Sequence, residues 1–229
     1  MNKREYQTLY HEFTSKVIAS SQYLESTVTQ SEKDLIAPLA KSARRIYDLG
    51  TGNGRIPKFL SELGIEASIY GIDSNLQMFF QASEFQNPRV KFIDSDILDW
   101  LKNADEGDLI LCIGNTMGGF MDEKYRDSVF ASIYEKLQKG GHFVVDYRPI
   151  EAVLKNDIVV CREPQNYGEI IITMEEINGE KIRLPQFYPD EESFRQQMMT
   201  NGFAVSNPIL LEGTKYVRKG IILEKEGTS

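Results

Sequence analysis

Asp48, Asp73 and the pair Asp94 and Asp96 each follow a short apolar run, and glycines at 50, 52 and 54 come directly after the first of them. Those runs are Ile46-Tyr47, Ser68 to Ile72 and Val90 to Ile93, and their composition predicts three strands. Alternate glycines let a tight turn take positive φ angles and let a flat ligand come close to the backbone. A helix predicted from Arg55 to Leu63 then aims its free N–H groups and its dipole at whatever lies over the turn. The stretch Asp48-Leu49-Gly50-Thr51-Gly52-Asn53-Gly54 therefore suggests a nucleotide-type cofactor cradle at the C-terminal edge of a parallel sheet.

The spacing narrows the ligand. A dinucleotide fingerprint runs G-x-G-x-x-G, whereas these glycines run G-x-G-x-G behind an acidic residue that would repel a pyrophosphate and suits a cationic amino group. Asp73 is placed to accept both hydroxyls of a ribose. Asp96 offers an acceptor to an adenine amine, with Ile97 covering the ring. Each feature has a plainer reading: a glycine turn is often a tight connection, Asp73 suits a cap for a helix beginning near Ser74, and Asp96 suits a cap for Ile97 to Leu101. The order favours the functional reading, because three successive strands each end in an acidic residue. Adenosine joined to an amino acid, without phosphate, describes S-adenosyl-L-methionine.

This combined pattern resembles class I S-adenosylmethionine-dependent methyltransferases. The resemblance implies that Asp48, Gly50, Thr51, Gly52, Asn53 and Gly54 shape the methionine side of a cofactor site. It likewise implies Asp73 at the ribose, Asp96 and Ile97 at the adenine, Gly114 and Asn115 near the reactive methyl, and Ser74 and Met78 among the other cofactor contacts. Methyl transfer from a sulfonium is an in-line displacement, so the protein mainly aligns a lone pair and excludes water. Little acid–base machinery is needed. Of the two histidines, His142 is expected at the far end of a strand and His11 in an N-terminal helix.

Asn115 offers an amide oxygen to an acceptor N–H, or is an ordinary turn asparagine. Arg148 suits a substrate carboxylate, or a salt bridge with one of the many acidic residues. Here the resemblance narrows. Cys112-Ile113-Gly114-Asn115-Thr116 is similar to the Gly-Asn-Ser segment of glycine and sarcosine N-methyltransferases. Val145-Asp146-Tyr147-Arg148 is similar to their Asp-His-Arg, whose arginine holds the amino-acid carboxylate. Phe187-Tyr188-Pro189 and Tyr216-Val217-Arg218 also look like that group. By this likeness Asn115 and Arg148 contact substrate and Tyr188 lines its pocket. Tyr147, Thr116 and the run Gly118-Gly119-Phe120 depart from the pattern, which leaves the acceptor open.

Strands alternating with helices from 44 to 147 predict a mostly parallel sheet with right-handed crossovers. Its fourth strand is expected at Asp108 to Gly114, then a helix from Glu123 to Gln138, a stop at Gly140-Gly141 and a fifth strand at His142 to Tyr147. Beyond Arg148-Pro149 the stretches Ile158 to Arg162, Glu169 to Ile177 and Lys181 to Phe187 predict an antiparallel insertion, turning at Asn178-Gly179. A helix opening at Asp190 and a closing pair, Phe203 to Leu211 with Tyr216 to Lys225, complete the pattern. The expected fold is α/β: Rossmann-like, seven-stranded and mostly parallel, with a C-terminal antiparallel hairpin and a β insertion at about 156–188.

Ahead of this domain, taken as 44–229, residues 1–43 are expected to form a helical cap. Tyr6, Leu9, Tyr10, Phe13, Val17 and Ile18 recur at helical spacing. Leu9 and Val17 are expected to pack on the sheet, and Tyr6, Tyr10 or Tyr23 to reach the cofactor mouth as a lid. A second helix is expected from Ser31 to Ala43, kinked or divided at Pro38.

The 229 residues suit one large domain. A net charge of −8, with no Lys/Arg run longer than two, makes nucleic acid a poor partner. Cys112 and Cys161 have neither disulfide nor metal-ligand spacing, and Cys112 lies in an apolar run that suits a core thiol. No apolar run spans a bilayer, and the polar Met1 to Tyr10 lacks a leader's apolar core, so a cytoplasmic protein is expected. The expected activity is methyl transfer to a small molecule, at the nitrogen of an amino acid or amine. O-methylation, intramolecular cyclisation of the cofactor and a non-catalytic binding role remain as alternatives, and a homo-oligomer remains open.

Overall fold

The structure is a computed structural model and describes residues 5, 8–10, 12–13, 16, 27–214 and 216–226. Tyr6, His11, Val17, Ile18 and Tyr23 lie outside the described residues. The main sheet runs in the order β10 (Ile209–Leu211), β11 (Arg218–Lys225), β5 (Leu137–Tyr147), β4 (Gly107–Cys112), β1 (Arg45–Leu49), β2 (Ser68–Asp73) and β3 (Val90–Asp94). Its parallel strands are β1, β2, β3, β4 and β5. Side chains alternate across this sheet. Tyr47, Ile110, Cys112, Phe143 and Val145 enter one core layer, and Ile46, Leu109, Leu111 and Val144 enter the other. Burial on both faces explains why these strands are nearly continuous apolar runs.

Residues 5, 8–10, 12–13 and 16 are helical, and the helices described from end to end are α1 (Gln30–Ala40), α2 (Arg55–Glu62), α3 (Leu76–Ser83), α4 (Ile97–Asn103), α5 (Glu123–Lys136), α6 (Ile150–Asn156) and α7 (Glu191–Thr200). α1 is fixed by a capping box: the Thr29 hydroxyl accepts from the Glu32 N–H at 3.3 Å, and the Glu32 carboxylate accepts from the Thr29 N–H at 2.8 Å. Pro38 does not divide α1. It stands in the last turn, and the helix ends two residues later, at Ala40 rather than Ala43. Leu35, Ile36 and Ala40 pack into the same core layer as Ile46 and Leu60.

The join between α5 and β5 departs from expectation. The strand begins at once at Leu137, fully buried and opposite Gly107, and the register then jumps to Leu109 opposite His142. Burial of Leu137 draws the chain into the sheet early, and Gly140, at φ 72°, lets the extra residues bulge out. At the other edge the long strand expected from Phe203 is broken. β9 (Phe203–Val205) and β10 (Ile209–Leu211) both pair antiparallel with β11 (Arg218–Lys225). Pro208 lies between them and has no N–H to give the ladder. Seven strand positions are therefore filled by eight strands.

α6, not foreseen from the sequence, follows β5 and leads into a separate antiparallel sheet of β6 (Ile158–Gln165), β7 (Gly168–Ile177) and β8 (Glu180–Pro189). Asn178 and Gly179 both take positive φ, 53° and 80°, as a two-residue hairpin requires. N-terminal side chains pack against this insertion rather than the main sheet. Phe13 joins Ile177, Ile182 and Leu184, and Leu9 and Tyr10 meet Met121, Ile170 and Ile172.

Candidate active site

The expected cradle residues converge at the C-terminal ends of β1 and β2. Gly50, Gly52 and Gly54 have φ of 70°, 56° and 76°, and Gly54 is the residue before α2. A side chain at Gly50 would strike Thr116, and one at Gly54 would strike Phe92; at Gly52 nothing lies within 4 Å. The turn is thus tight against protein on two sides and open above Gly52, where a ligand has room. The N–H groups of Gly50 and Thr51 both donate to the Ile72 carbonyl, at 2.8 and 3.0 Å, which ties the turn to β2. Asn53 accepts from the Arg55 N–H at 3.3 Å.

Asp73 bridges the turn and the next loop. One carboxylate oxygen accepts from the Gly52 N–H at 2.9 Å and the other from the Asn75 N–H at 2.8 Å. It does not cap α3; Asn75 does, accepting from the N–H groups of Gln77 and Met78. Ser74 is exposed and Met78 half-buried on this side. Asp96 caps α4 through Leu98 and Asp99, and its second oxygen accepts from the Tyr125 hydroxyl at 2.8 Å. Ile97 behind it is buried.

Asp48 lies beneath the turn, buried, and accepts from the Thr51 hydroxyl at 2.6 Å. Burial pushes its carboxyl up to about 7, against the pull of Thr51 and Arg55, while the charges of Asp73 and Glu32 add to the rise.

Across the gap, Gly114 at φ 91° and Asn115 at φ 61° leave β4 in a left-handed bend, and the 3₁₀ turn Thr116–Gly119 follows. The Thr116 hydroxyl donates to the Gly50 carbonyl at 3.3 Å, joining the two lips. Asn115 and Arg148 are brought together: the Asn115 side-chain oxygen accepts from the Arg148 N–H at 3.3 Å. Arg148 is buried, pairs with Asp157 and stacks on the Tyr216 ring, 4.0 Å from its centroid. Tyr188 is buried, its ring centroid 5.8 Å from the Arg148 guanidinium, and donates to the Gln186 side chain at 2.9 Å. Tyr10 closes over Gly119, where an added side chain would come within 2.9 Å of its hydroxyl. Burial first, and then the Asp73 charge, push the Tyr10 phenol up to about 12.

Behind these lips runs a buried ionic tie that no single motif revealed. The Asp146 carboxylate accepts from the N–H groups of Gly114 and Asn115, at 3.1 and 2.7 Å, and pairs with Arg218. Arg218 also donates to Glu32 at 3.0 Å, and Glu32 accepts both guanidinium arms of Arg55 at 2.8 Å. Burial would raise Glu32, but Arg55, the Thr29 N–H and Arg218 outweigh it and hold its carboxyl at about 2. The Thr-x-x-Glu capping pattern is legible at Thr29 and Glu32; that the same carboxylate serves two arginines from distant segments is not. Among the described residues no group of three His, Cys, Asp or Glu side chains is placed to hold a metal ion.

Residues 46–141 match the family described as "Methyltransferase domain". Over 89 residues the chain is 34% identical to trans-aconitate 2-methyltransferase of Afipia carboxidovorans, covering 38% of this chain and 34% of that protein. Over 118 residues it is 29% identical to glycine/sarcosine N-methyltransferase of Halorhodospira halochloris, covering 50% and 43%. The chain thus spans less than half the length of these curated relatives. Among solved structures, the methyltransferase CcbJ of Streptomyces caelestis aligns with a TM-score of 0.65 at 14% identity, over 86% of this chain and 89% of that one. The glycopeptide N-methyltransferase MtfA aligns with a TM-score of 0.66 at 13% identity, over 92% and 97%. Residues 46–141 are thus similar in sequence to a methyltransferase domain, and the fold over the whole sheet is the Rossmann-like α/β fold that these solved methyltransferases share.

Proposed function

We propose that the chain is an S-adenosylmethionine-dependent methyltransferase acting on a small molecule, at the nitrogen of an amino acid or amine. One observation carries this: a left-handed glycine turn, open above Gly52, with one buried carboxylate beneath it and another bonded along its side. The cofactor, when bound, supplies a methyl group activated on a sulfonium. Asp48, Gly50, Thr51, Gly52, Asn53 and Gly54 hold its amino-acid end. Asp73, with Ser74 and Met78 beside it, takes the ribose, and Asp96 with Ile97 takes the adenine. Gly114 and Asn115 form the opposite lip. Asn115 orients the acceptor N–H, Arg148 binds an acceptor carboxylate, and Tyr188 and Tyr10 keep water out.

The glycine/sarcosine relatives support nitrogen as acceptor; the trans-aconitate relatives make a polycarboxylic acid the rival. Purified protein is incubated with S-adenosylmethionine alone, then with pools of amino acids, amines and carboxylic acids, and all adenosyl products are followed by mass spectrometry. S-adenosylhomocysteine formed with the amino-acid or amine pool alone is the expected result. Methylthioadenosine formed without an acceptor would mean that the cofactor is itself consumed and would end the methyltransferase reading.

A further inference from the structure

Arg148 does not stand alone at the end of β5. It lies in a cluster with the half-buried Asp157 at the end of α6, the buried Glu175 on β7 and Tyr188 on β8, and the half-buried Tyr216 before β11. One guanidinium arm donates to Asp157, and the plane stacks on Tyr216. Its Nε is buried and has no hydrogen-bond partner. Glu175, also buried, accepts from the Tyr216 hydroxyl at 3.2 Å. A buried unpaired donor is costly, so an acceptor oxygen that reaches Nε relieves that cost. Asp157 already balances the Arg148 charge, so a ligand carboxylate that reaches Arg148 needs a cation of its own to keep the group neutral.

From this geometry we infer that Asp157 selects the acceptor: it admits a molecule with one carboxylate and a basic nitrogen, and it turns away polycarboxylates. A single carboxylate fits the free Nε side of Arg148, and an amine on the neighbouring carbon faces the Asp157 carboxylate. A second or third carboxylate brings no cation to balance it beside Asp157, and the like charges repel. Asp157 is absent from every motif read in the sequence and enters the site through α6, which follows Arg148 directly. This rests on the proposed function and deepens it, because it divides the two kinds of relative, one named for amino acids and the other for a tricarboxylate.

The test separates the two claims. Protein loaded with S-adenosylhomocysteine is titrated by calorimetry with glycine, sarcosine and trans-aconitate, so that acceptor choice is read without turnover. Failure to load with S-adenosylhomocysteine defeats the methyltransferase reading itself, and the inference with it. In loaded protein, the best amino acid is expected to bind at least about tenfold more tightly than trans-aconitate. Asp157→Asn is expected to move that ratio towards trans-aconitate by about tenfold, equivalent to about 1.4 kcal/mol, and Asp157→Glu to restore it. A ratio is independent of how much protein is folded, so a destabilised variant still reports. Equal binding of both acids by the wild type, binding of neither, or a ratio unmoved in Asp157→Asn would overturn the assignment.

Discussion

Asp48 is a carboxylate that the fold buries before any ligand arrives, with a hydroxyl rather than a cation in direct contact. Its carboxyl is raised from 3.8 to about 7, so the folded chain holds this proton more tightly than the unfolded chain does. The stability linked to it is complete below about pH 3.8 and is lost as pH rises through about 7. Asp48→Asn should therefore melt at a higher temperature than the wild type at pH 8 and bind S-adenosylmethionine more weakly. A variant with unchanged melting at pH 8 would show that Asp48 carries no strain. Asp73→Ala, which also strips the Gly52 and Asn75 N–H groups of their acceptor, should weaken cofactor binding by about 10- to 100-fold, as losing hydrogen bonds to a charged group does; unchanged affinity by calorimetry would remove it from the ribose site. Both positions were legible because an acid at the end of an apolar run needs no partner to be recognised. Asp157 and Glu175 were not, since their meaning depends on which distant side chains the fold brings to Arg148.

At the scale of elements, Glu32 ties α1 to α2 through Arg55, and to β11 through Arg218. Its carboxyl is lowered from 4.5 to about 2, so its contribution is present above about pH 4.5 and is lost as pH falls towards 2. Glu32→Gln leaves two buried guanidinium groups without their shared anion, and should cost about 3 kcal/mol or more. It should also flatten the acid limb of the stability–pH curve, measured by urea denaturation between pH 3 and 7. A variant as acid-sensitive as the wild type would show that the tie does not govern that limb. The elements themselves were largely legible: alternating apolar runs, the Asn178-Gly179 turn and the Asp190 cap all stand where patterning placed them. Two of the misses share one cause. Leu137 enters the sheet early, and α1 continues through Pro38, because burial of Leu137 and of Leu35, Ile36 and Ala40 outweighs the local signals of Gly140 and of proline.

Across the whole molecule, the candidate site draws its residues from the main sheet and from the insertion, and N-terminal side chains pack on the insertion. That docking was not legible beforehand, because an amphipathic stripe does not name the surface it will cover. Phe13→Ala empties a contact with Ile177, Ile182 and Leu184. It should raise hydrogen exchange at Leu9 and Tyr10 while leaving exchange in β1, β4 and β5 unchanged. Faster exchange throughout the sheet would mean that segment and core unfold as one. The insertion closes its own ladder, β6 to β7 to β8, and shares no strand pairing with the main sheet. It is therefore an exchangeable cassette. Under the proposed function, insertion residues that recognise the acceptor can change without altering the pairing register of the strands that carry the glycine turn, so a new acceptor would leave the cofactor cradle as it is.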